Sequence, residues 1–242
     1  MLMDDVIKAV PSFLWSDGTQ WTGLVVTAKL FLYAGAIGMT LAVLLALLKV
    51  YGPKPVSWAI GAFSYFFRGT PLFLQLMLIY YGLSQFDIVS NGWQDGNRFW
   101  LLFRDATFCA VLAYVLNTAA YALEILAGAF AQYPKEEIAA AEAYGMSRWT
   151  TIRRIVLPGA LRRVIPVFSN EMVFLLHATA LSSTVTLMDM TGVARTLYAD
   201  TYSPFYPFLM AAALYLCCTF ALLALFRGAE RRWLAFLRPR QS

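Results

Sequence analysis

The chain has 242 residues, of which 60% are hydrophobic and only 14% are charged. This composition excludes an ordinary soluble globule, in which about a quarter of the residues are charged, and it indicates a protein whose solvent is the lipid bilayer. The net charge of +5 does not indicate nucleic-acid binding, because the basic residues cluster where they would orient membrane helices.

Five apolar segments are long enough to cross a membrane as helices, which requires about 20 residues at a rise of about 1.5 Å each. Their continuous apolar character excludes a membrane barrel, whose strands alternate between apolar and polar residues. We predict an all-α membrane protein of one domain, residues 1–242, with spans at about 28–50, 57–86, 104–131, 161–186 and 204–227.

Lys and Arg collect in the segment between the third and fourth spans and in the C-terminal tail. Because such residues favour the cytoplasmic side, we predict a periplasmic N-terminus and a cytoplasmic C-terminus. We interpret residues 1–27 as mature chain, with Phe13, Trp15 and Trp21 at headgroup depth on the outer surface.

Proline and glycine predict breaks near the second span. Thr70 followed by Pro71 predicts a helix start at Thr70, which leaves residues 56–67 as either an interfacial helix or the first turns of the span. The polar outer segment 87–105 is predicted to be irregular, and the outer segment 189–204 is long enough for a short helix.

The cytoplasmic loop between the third and fourth spans predicts two helices joined by an elbow. Pro134 and the following acidic residues favour a helix start, and Gly145 is able to end that helix in a left-handed turn. A second helix over residues 146–156 is expected to stop at Leu157-Pro158. From the residues alone, docking into another protein and lying on lipid headgroups fit this loop equally well.

The spacing of Gly145, Ile155 and Leu157-Pro158 after an alanine-rich helix resembles the EAA loop of ABC importer permeases. One departure is visible, because Ala139 occupies the position of the usual glutamate. The resemblance assigns contact with a partner ATPase to Glu137, Ala140, Ala141, Glu142, Gly145, Ile155, Leu157 and Pro158.

Further motifs along the chain resemble the polar amino-acid branch of this family, including its subunits for histidine and the basic amino acids. They are Arg68-Gly69-Thr70-Pro71-Leu72 with Gln75, then Asn117, Tyr121 and Glu124-Ile125, then Ser169-Asn170-Glu171, His177, Thr179-Ala180-Leu181 and the tail 229–234.

This resemblance implies the MetI-like fold of type I ABC importers, in the inner membrane of a bacterium. It also implies a second homologous permease subunit, two ATP-binding subunits that hold ATP and Mg, and a periplasmic substrate-binding protein, with no cofactor in this chain. The implied substrates are polar, basic amino acids such as arginine, ornithine, lysine or histidine. The alternative substrates are another polar amino acid or an opine. The alternative function is that of a membrane channel or receptor.

No phosphate-binding glycine loop, serine nucleophile elbow or His-Glu-x-x-His pair occurs in the chain. We therefore predict a transport subunit rather than an enzyme. The single histidine, His177, is not predicted to bind a metal, because no further ligand stands at a suitable spacing.

Ionisable side chains within a span cost about 3 kcal/mol and need a partner. Glu171 lies near the middle of the fourth span and is expected to bind the cationic end of a basic amino acid or, alternatively, to join two helices. The predicted substrate-binding residues are Glu171, Asn170, Thr179, His177 and Arg68.

Two further polar groups carry open interpretations. Asn117, Tyr121 and Glu124 fall on one face of the third span, and joining neighbouring helices is their favoured role. On the outer side, one group of residues fits either a rim that receives a binding protein or an ordinary solvated loop. Its members are Asp189, Arg195, Tyr198, Asp200 and Tyr202.

Overall fold

The computed structural model describes residues 8–233, and this part of the chain contains helices and no β-strand. The helices are α1 Val10–Leu14, α2 Gly23–Tyr51, α3 Lys54–Gly69, α4 Leu72–Met77, α5 Asp87–Gln94, α6 Arg98–Leu101, α7 Ala106–Ala131, α8 Lys135–Ala143, α9 Arg148–Thr151, α10 Leu157–Arg163, α11 Ile165–Ala178, α12 Met190–Thr201 and α13 Phe205–Trp233. Short π or 3₁₀ turns follow α4 (Leu78–Gly82 and Leu83–Gln85), α6 (Leu102–Arg104), α9 (Ile152–Val156) and α11 (Thr179–Val185).

Three helices, α2, α7 and α13, are each long and apolar enough to cross a membrane. Two bent pairs also qualify: α3 with the segment that α4 begins, bent by 102°, and the segment from α9 to α10 with the one that α11 begins, bent by 61°. The described residues therefore hold between three and five spans, depending on whether each bent pair crosses the bilayer.

The centre of the bundle is α7, which is the most buried of the three long helices and packs most extensively against α2. Small residues make this close approach possible. A Cβ on Gly38 of α2 would lie 3.2 Å from the Cβ of Thr118 on α7, so the two backbones meet with no room for a larger side chain.

The break between α3 and α4 differs from the sequence prediction. Thr70 does not begin a helix; its hydroxyl donates to the carbonyl of Phe66 at the end of α3, and α4 begins at Leu72. The residue before a proline is driven towards extended backbone, and Thr70 has φ −117° and ψ 144°. Residues 56–67 accordingly belong to a helix of their own, α3.

The prediction that Leu157-Pro158 ends the second loop helix is also wrong. Pro158 lies in the first turn of α10, and the turn Ile152–Val156 before it is π-helical, with Leu157 N–H donating to Ile152 O. A proline is tolerated in a first helical turn, and a π turn is a usual way for a helix to absorb an irregular position. Helical structure thus runs from Arg148 to Arg163.

The outer segment 87–105 is not irregular, because it folds into α5, α6 and a 3₁₀ turn. The indole of Trp93 donates to Trp100 O at 2.7 Å and joins the two helices. Phe13, which was expected at headgroup depth, is fully buried against α12 and α13, whereas Trp15 and Trp21 are exposed as expected. The first seven residues and the tail 234–242 lie outside the described residues; of the predicted C-terminal basic cluster, Arg238 and Arg240 fall in that tail, whereas Arg227, Arg231 and Arg232 belong to α13.

Candidate substrate cavity and coupling loop

The break between α3 and α4 exposes backbone carbonyls that side chains satisfy. The Gln75 amide, only 5% exposed, donates to Phe67 O at 2.8 Å and to Thr70 O at 3.0 Å. From α7, Asn117 Nδ2 donates to Phe67 O and to Gln75 Oε1, both at 3.2 Å. Because a break in a helix leaves backbone polar groups that need other partners, these amides stabilise the bend.

The remainder of the α7 stripe binds the same region. Tyr121 Oη donates to Arg68 O at 3.4 Å, and the Arg68 guanidinium lies 5.4 Å from the centroid of the Tyr121 ring. One turn further on, Glu124 pairs with Lys49 of α2 and lies 3.9 Å from Arg68 Nη1. Asn117, Tyr121 and Glu124, the three residues of this stripe, therefore join neighbouring helices, as their spacing predicted.

Beside this network is a cavity of about 320 Å³ that Glu171 faces. Its lining residues are Leu72, Asn117, Thr118, Tyr121, Glu171, Phe174, Leu175 and Ala178. Within the described part of the chain, the Glu171 carboxylate forms no ion pair. A mostly apolar cavity with a few convergent polar groups is the usual form of a small-molecule site.

The other predicted substrate ligands do not line this cavity. Asn170 is exposed on a different side of α11. His177 Nε2 lies 3.0 Å from Thr219 Oγ1 of α13, and Thr179 is fully buried and donates to Leu176 O at 2.6 Å. The structure therefore brings Glu171 close to the Tyr121–Arg68 pair, while Asn170, His177 and Thr179 lie elsewhere.

Among the lining residues that sequence reasoning missed are Asn117 and Tyr121. The signal was available, since both fall on the stripe that was interpreted as helix packing. That interpretation accounts for their hydrogen bonds to the neighbouring helix, and the remaining surface of both side chains lines the cavity.

The helix, elbow and helix predicted for the loop between the third and fourth spans are present. Gly145 has φ +78°, its N–H donates to Glu142 O at 2.9 Å, and Met146 N–H donates to Ala141 O at 3.1 Å. This bonding pattern is the Schellman motif, which favours glycine at the left-handed position. Beside the elbow, Tyr144 is 89% exposed.

The predicted ATPase-contact residues divide by exposure. Ala140, Glu142 and Gly145 are exposed, as is 46% of the Glu137 side chain, while Ala141 is buried and Ile155, Leu157 and Pro158 are half-buried. The exposed members form the face that is open to a partner.

Glu137 has partners in its own chain. Tyr133 Oη donates to Glu137 Oε2, and Arg163 Nη2 lies 3.0 Å from Glu137 Oε1. Burial and the neighbouring carboxylate raise the pKa of Tyr133 to about 12, so the phenol keeps its proton at neutral pH and acts as the donor.

In the segment 189–204, Asp189 is not part of an exposed rim. It is fully buried at the start of α12, where its carboxylate accepts from Gly192 N–H at 3.0 Å and from Tyr215 Oη at 3.1 Å. The exposed candidates for a rim are Arg195, Tyr198, Asp200 and Tyr202.

Residues 37–234 match the family described as binding-protein-dependent transport system inner membrane component. The chain belongs to this family. It is therefore a multi-pass inner-membrane transport component rather than an enzyme, and its all-helical fold agrees with that class.

Two relatives and one solved structure resemble it over nearly its full length. The histidine/lysine/arginine/ornithine transport system permease protein HisM of Escherichia coli (strain K12) is 45% identical, with 93% of each chain covered. The octopine transport system permease protein OccM of Rhizobium meliloti is 40% identical over 91% of this chain and 88% of its own. An amino acid ABC transporter crystallised with histidines superposes with a TM-score of 0.78 at 28% identity, covering 96% of this chain and 98% of that one.

Proposed function

We propose that this chain is the permease subunit of an ATP-driven importer that carries arginine, ornithine, lysine or histidine through the cavity at Glu171. Support comes from the relative that is named for transport of these amino acids and is 45% identical. It also comes from the chemistry of the cavity, which is independent of that name.

The polar groups of the cavity offer hydrogen-bond acceptors. Asn117 uses its Nδ2 donors on Phe67 O and Gln75 Oε1, which leaves its amide oxygen for a ligand, and Tyr121 uses its proton on Arg68 O. Together with the Glu171 carboxylate, these oxygens suit a guanidinium, ammonium or imidazolium group, which have only donors.

A basic amino acid also carries a carboxylate, and Arg68 is suitably placed to receive it. The Arg68 guanidinium stacks on Tyr121, which lines the cavity, and its side chain remains 43% exposed. A ligand with a cationic end at Glu171 and an anionic end at Arg68 would leave neither charge uncompensated at membrane depth.

We further propose that both bent pairs cross the bilayer, which gives five spans in one domain, with a periplasmic N-terminus and the α8 loop in the cytoplasm of a bacterium. The partners would be a second permease subunit, two ATPase subunits that bind ATP and Mg, and a periplasmic binding protein. Closure of the ATPases would move α8 and open the cavity alternately to each side; ATP shifts this equilibrium only by binding one state more tightly.

An arginine-derived opine is the second candidate substrate. A relative named for octopine transport is 40% identical, and a guanidinium would meet the same acceptors at Glu171. The two substrates differ at their anionic ends, so competition between arginine and octopine for uptake by the assembled importer separates the candidates.

The test of the cavity compares arginine with citrulline, its neutral isostere, in the reconstituted complex. Glu171→Gln keeps the volume and removes the charge, so arginine affinity should fall at least tenfold while citrulline affinity changes little. Equal effects on both ligands, or no effect on either, would assign Glu171 to helix packing. Glu230→Gln, an acidic-to-amide change at the far end of α13, is the matched control.

A further inference from the structure

Three side chains near the start and end of the loop between α7 and α11 contact one another within the chain. Tyr133 follows the end of α7, Glu137 lies in the first turn of α8, and Arg163 ends α10. Tyr133 Oη donates to one Glu137 oxygen, and Arg163 Nη2 lies 3.0 Å from the other. Three helices thus meet at one carboxylate, whose two oxygens are both engaged.

The tyrosine ring is held on two sides. The Arg163 guanidinium carbon lies 4.9 Å from its centroid, and Gly159 of α10 lies so close that an added Cβ would be 2.3 Å from Tyr133 Oη. Tyr133 is only 6% exposed. The ring therefore fixes where α10 sits against the end of α7, and Glu137 joins α8 to that position.

At both of its ends, α8 is separated from the neighbouring helices by a turn of the chain. It begins after Pro134 and ends in the left-handed Gly145. In contrast, α10 leads through Val164 directly into α11, the helix that carries Glu171. A firm link between α8 and α10 is consequently a direct route from the exposed loop to the cavity.

We propose that Glu137 is a positioning residue that clamps α8 to α10 through Arg163 and Tyr133, so that displacement of α8 moves the span lining the cavity. This proposal rests on the proposed importer function for its purpose, although the clamp itself is a contact within one chain. It differs from the role implied by the family resemblance, in which Glu137 contacts the ATPase.

A double-mutant cycle in the reconstituted complex distinguishes the two roles. Glu137→Gln and Arg163→Gln should each lower the amount of substrate imported per ATP hydrolysed by about fivefold, the upper range for a partly exposed ion pair. The double variant should be no worse than either single one, because both remove the same contact. If Glu137 instead served the ATPase, Arg163→Gln would leave the ratio unchanged or the two effects would multiply, and the proposal would be overturned.

Glu136→Gln is the matched control, because Glu136 is an exposed neighbour in the same turn; it should keep the wild-type ratio. Tyr133→Phe is a milder second variant that keeps the ring and removes only its hydrogen bond, and it should give a smaller loss in the same direction. Variants are compared at equal amounts of co-purified ATPase.

Hydrogen exchange of the backbone amides of α8 tests the clamp without reference to transport. Exchange in this helix should speed up by about fivefold in Glu137→Gln and in Arg163→Gln, and not in Glu136→Gln. Unchanged exchange in both variants would refute the clamp. Faster exchange with an unaltered transport ratio would refute its coupling role. If the variants showed these exchange changes but the wild-type complex imported no amino acid, the importer function alone would be refuted.

Discussion

Replacing Gln75 with leucine should destabilise the bend between α3 and α4 without creating a cavity. Leucine has nearly the same bulk as glutamine, but it has no hydrogen-bonding groups. Gln75 is only 5% exposed, and its amide donates to Phe67 O and Thr70 O at the break. The perturbation therefore removes the polar cap and little else.

The expected magnitude follows from which partners remain paired. Phe67 O keeps the donor from Asn117, and the Thr70 hydroxyl keeps its bond to Phe66 O. The loss falls on Thr70 O and on the Asn117 Nδ2 donor that Gln75 Oε1 had accepted, and unsatisfied groups of this kind cost about 1–3 kcal/mol. For a protein of this size, about 2 kcal/mol corresponds to a fall of about 4–8 °C in the apparent Tm.

Thermal unfolding of the purified complex in lipid nanodiscs, followed by the loss of monodisperse protein, measures this shift. Gln85→Leu is the control, because Gln85 is exposed and bonds only to the neighbouring Ser84; its Tm should stay within about 1 °C of wild type. A Gln75→Leu protein as stable as the control would show that the bend does not depend on this amide.

Three further changes have distinct expected outcomes. Gly145→Val places a β-branched residue at φ +78°, which such residues strongly disfavour, so ATP hydrolysis should continue while uptake falls; normal coupled uptake would argue against docking at the elbow. Gly159→Ala should sharply lower the yield of folded complex because its Cβ meets Tyr133, and Gly159→Ala with Tyr133→Leu should recover part of it; a double variant that folds as poorly as Gly159→Ala would contradict this clash. Glu124→Leu leaves the Lys49 charge unpaired and should cost about 3 kcal/mol, whereas Glu124→Leu with Lys49→Met should recover stability in the same unfolding assay; an equally unstable double variant would contradict the ion-pair explanation.

The elements that sequence reasoning predicted are those determined by local chemistry. The loop helix begins after Pro134 and ends at Gly145 because the first-turn proline and the left-handed glycine act within a few residues. Apolar length likewise located α2, α7 and α13. These features need no knowledge of which helix lies beside which.

The errors occur at irregular positions beside a proline. Thr70 resembles an N-cap, yet it closes α3, because the following proline holds it in extended backbone. One carbonyl at the break, Phe67 O, is capped from a distant part of the chain by Asn117. Pro158 resembles a helix stop, yet a π turn accommodates it. In each case the local signal located an irregular position correctly, but it did not specify whether a helix begins, ends or continues there.

The candidate site also separates what the local sequence shows from what helix packing decides. Glu171 was recognisable as a charge within an apolar run, and the structure places it in a cavity. His177 and Thr179 follow it on the same helical segment, but they contact α13. Which face of α11 meets the cavity depends on how α7, α11 and α13 cross, and periodicity along one helix does not contain that information.

The bend and the cavity share residues, and this has a consequence for affinity. Asn117 and Tyr121 hold the carbonyls of the break with their donors and line the cavity with their remaining surface. A change in the 102° bend must therefore move two of the polar residues that line the cavity. Broken helices that form transport sites in this way are known in other membrane proteins. Gln75 does not line the cavity, yet Gln75→Leu should weaken arginine binding because it loosens the groups that do; unchanged affinity in a destabilised variant would separate the bend from the site.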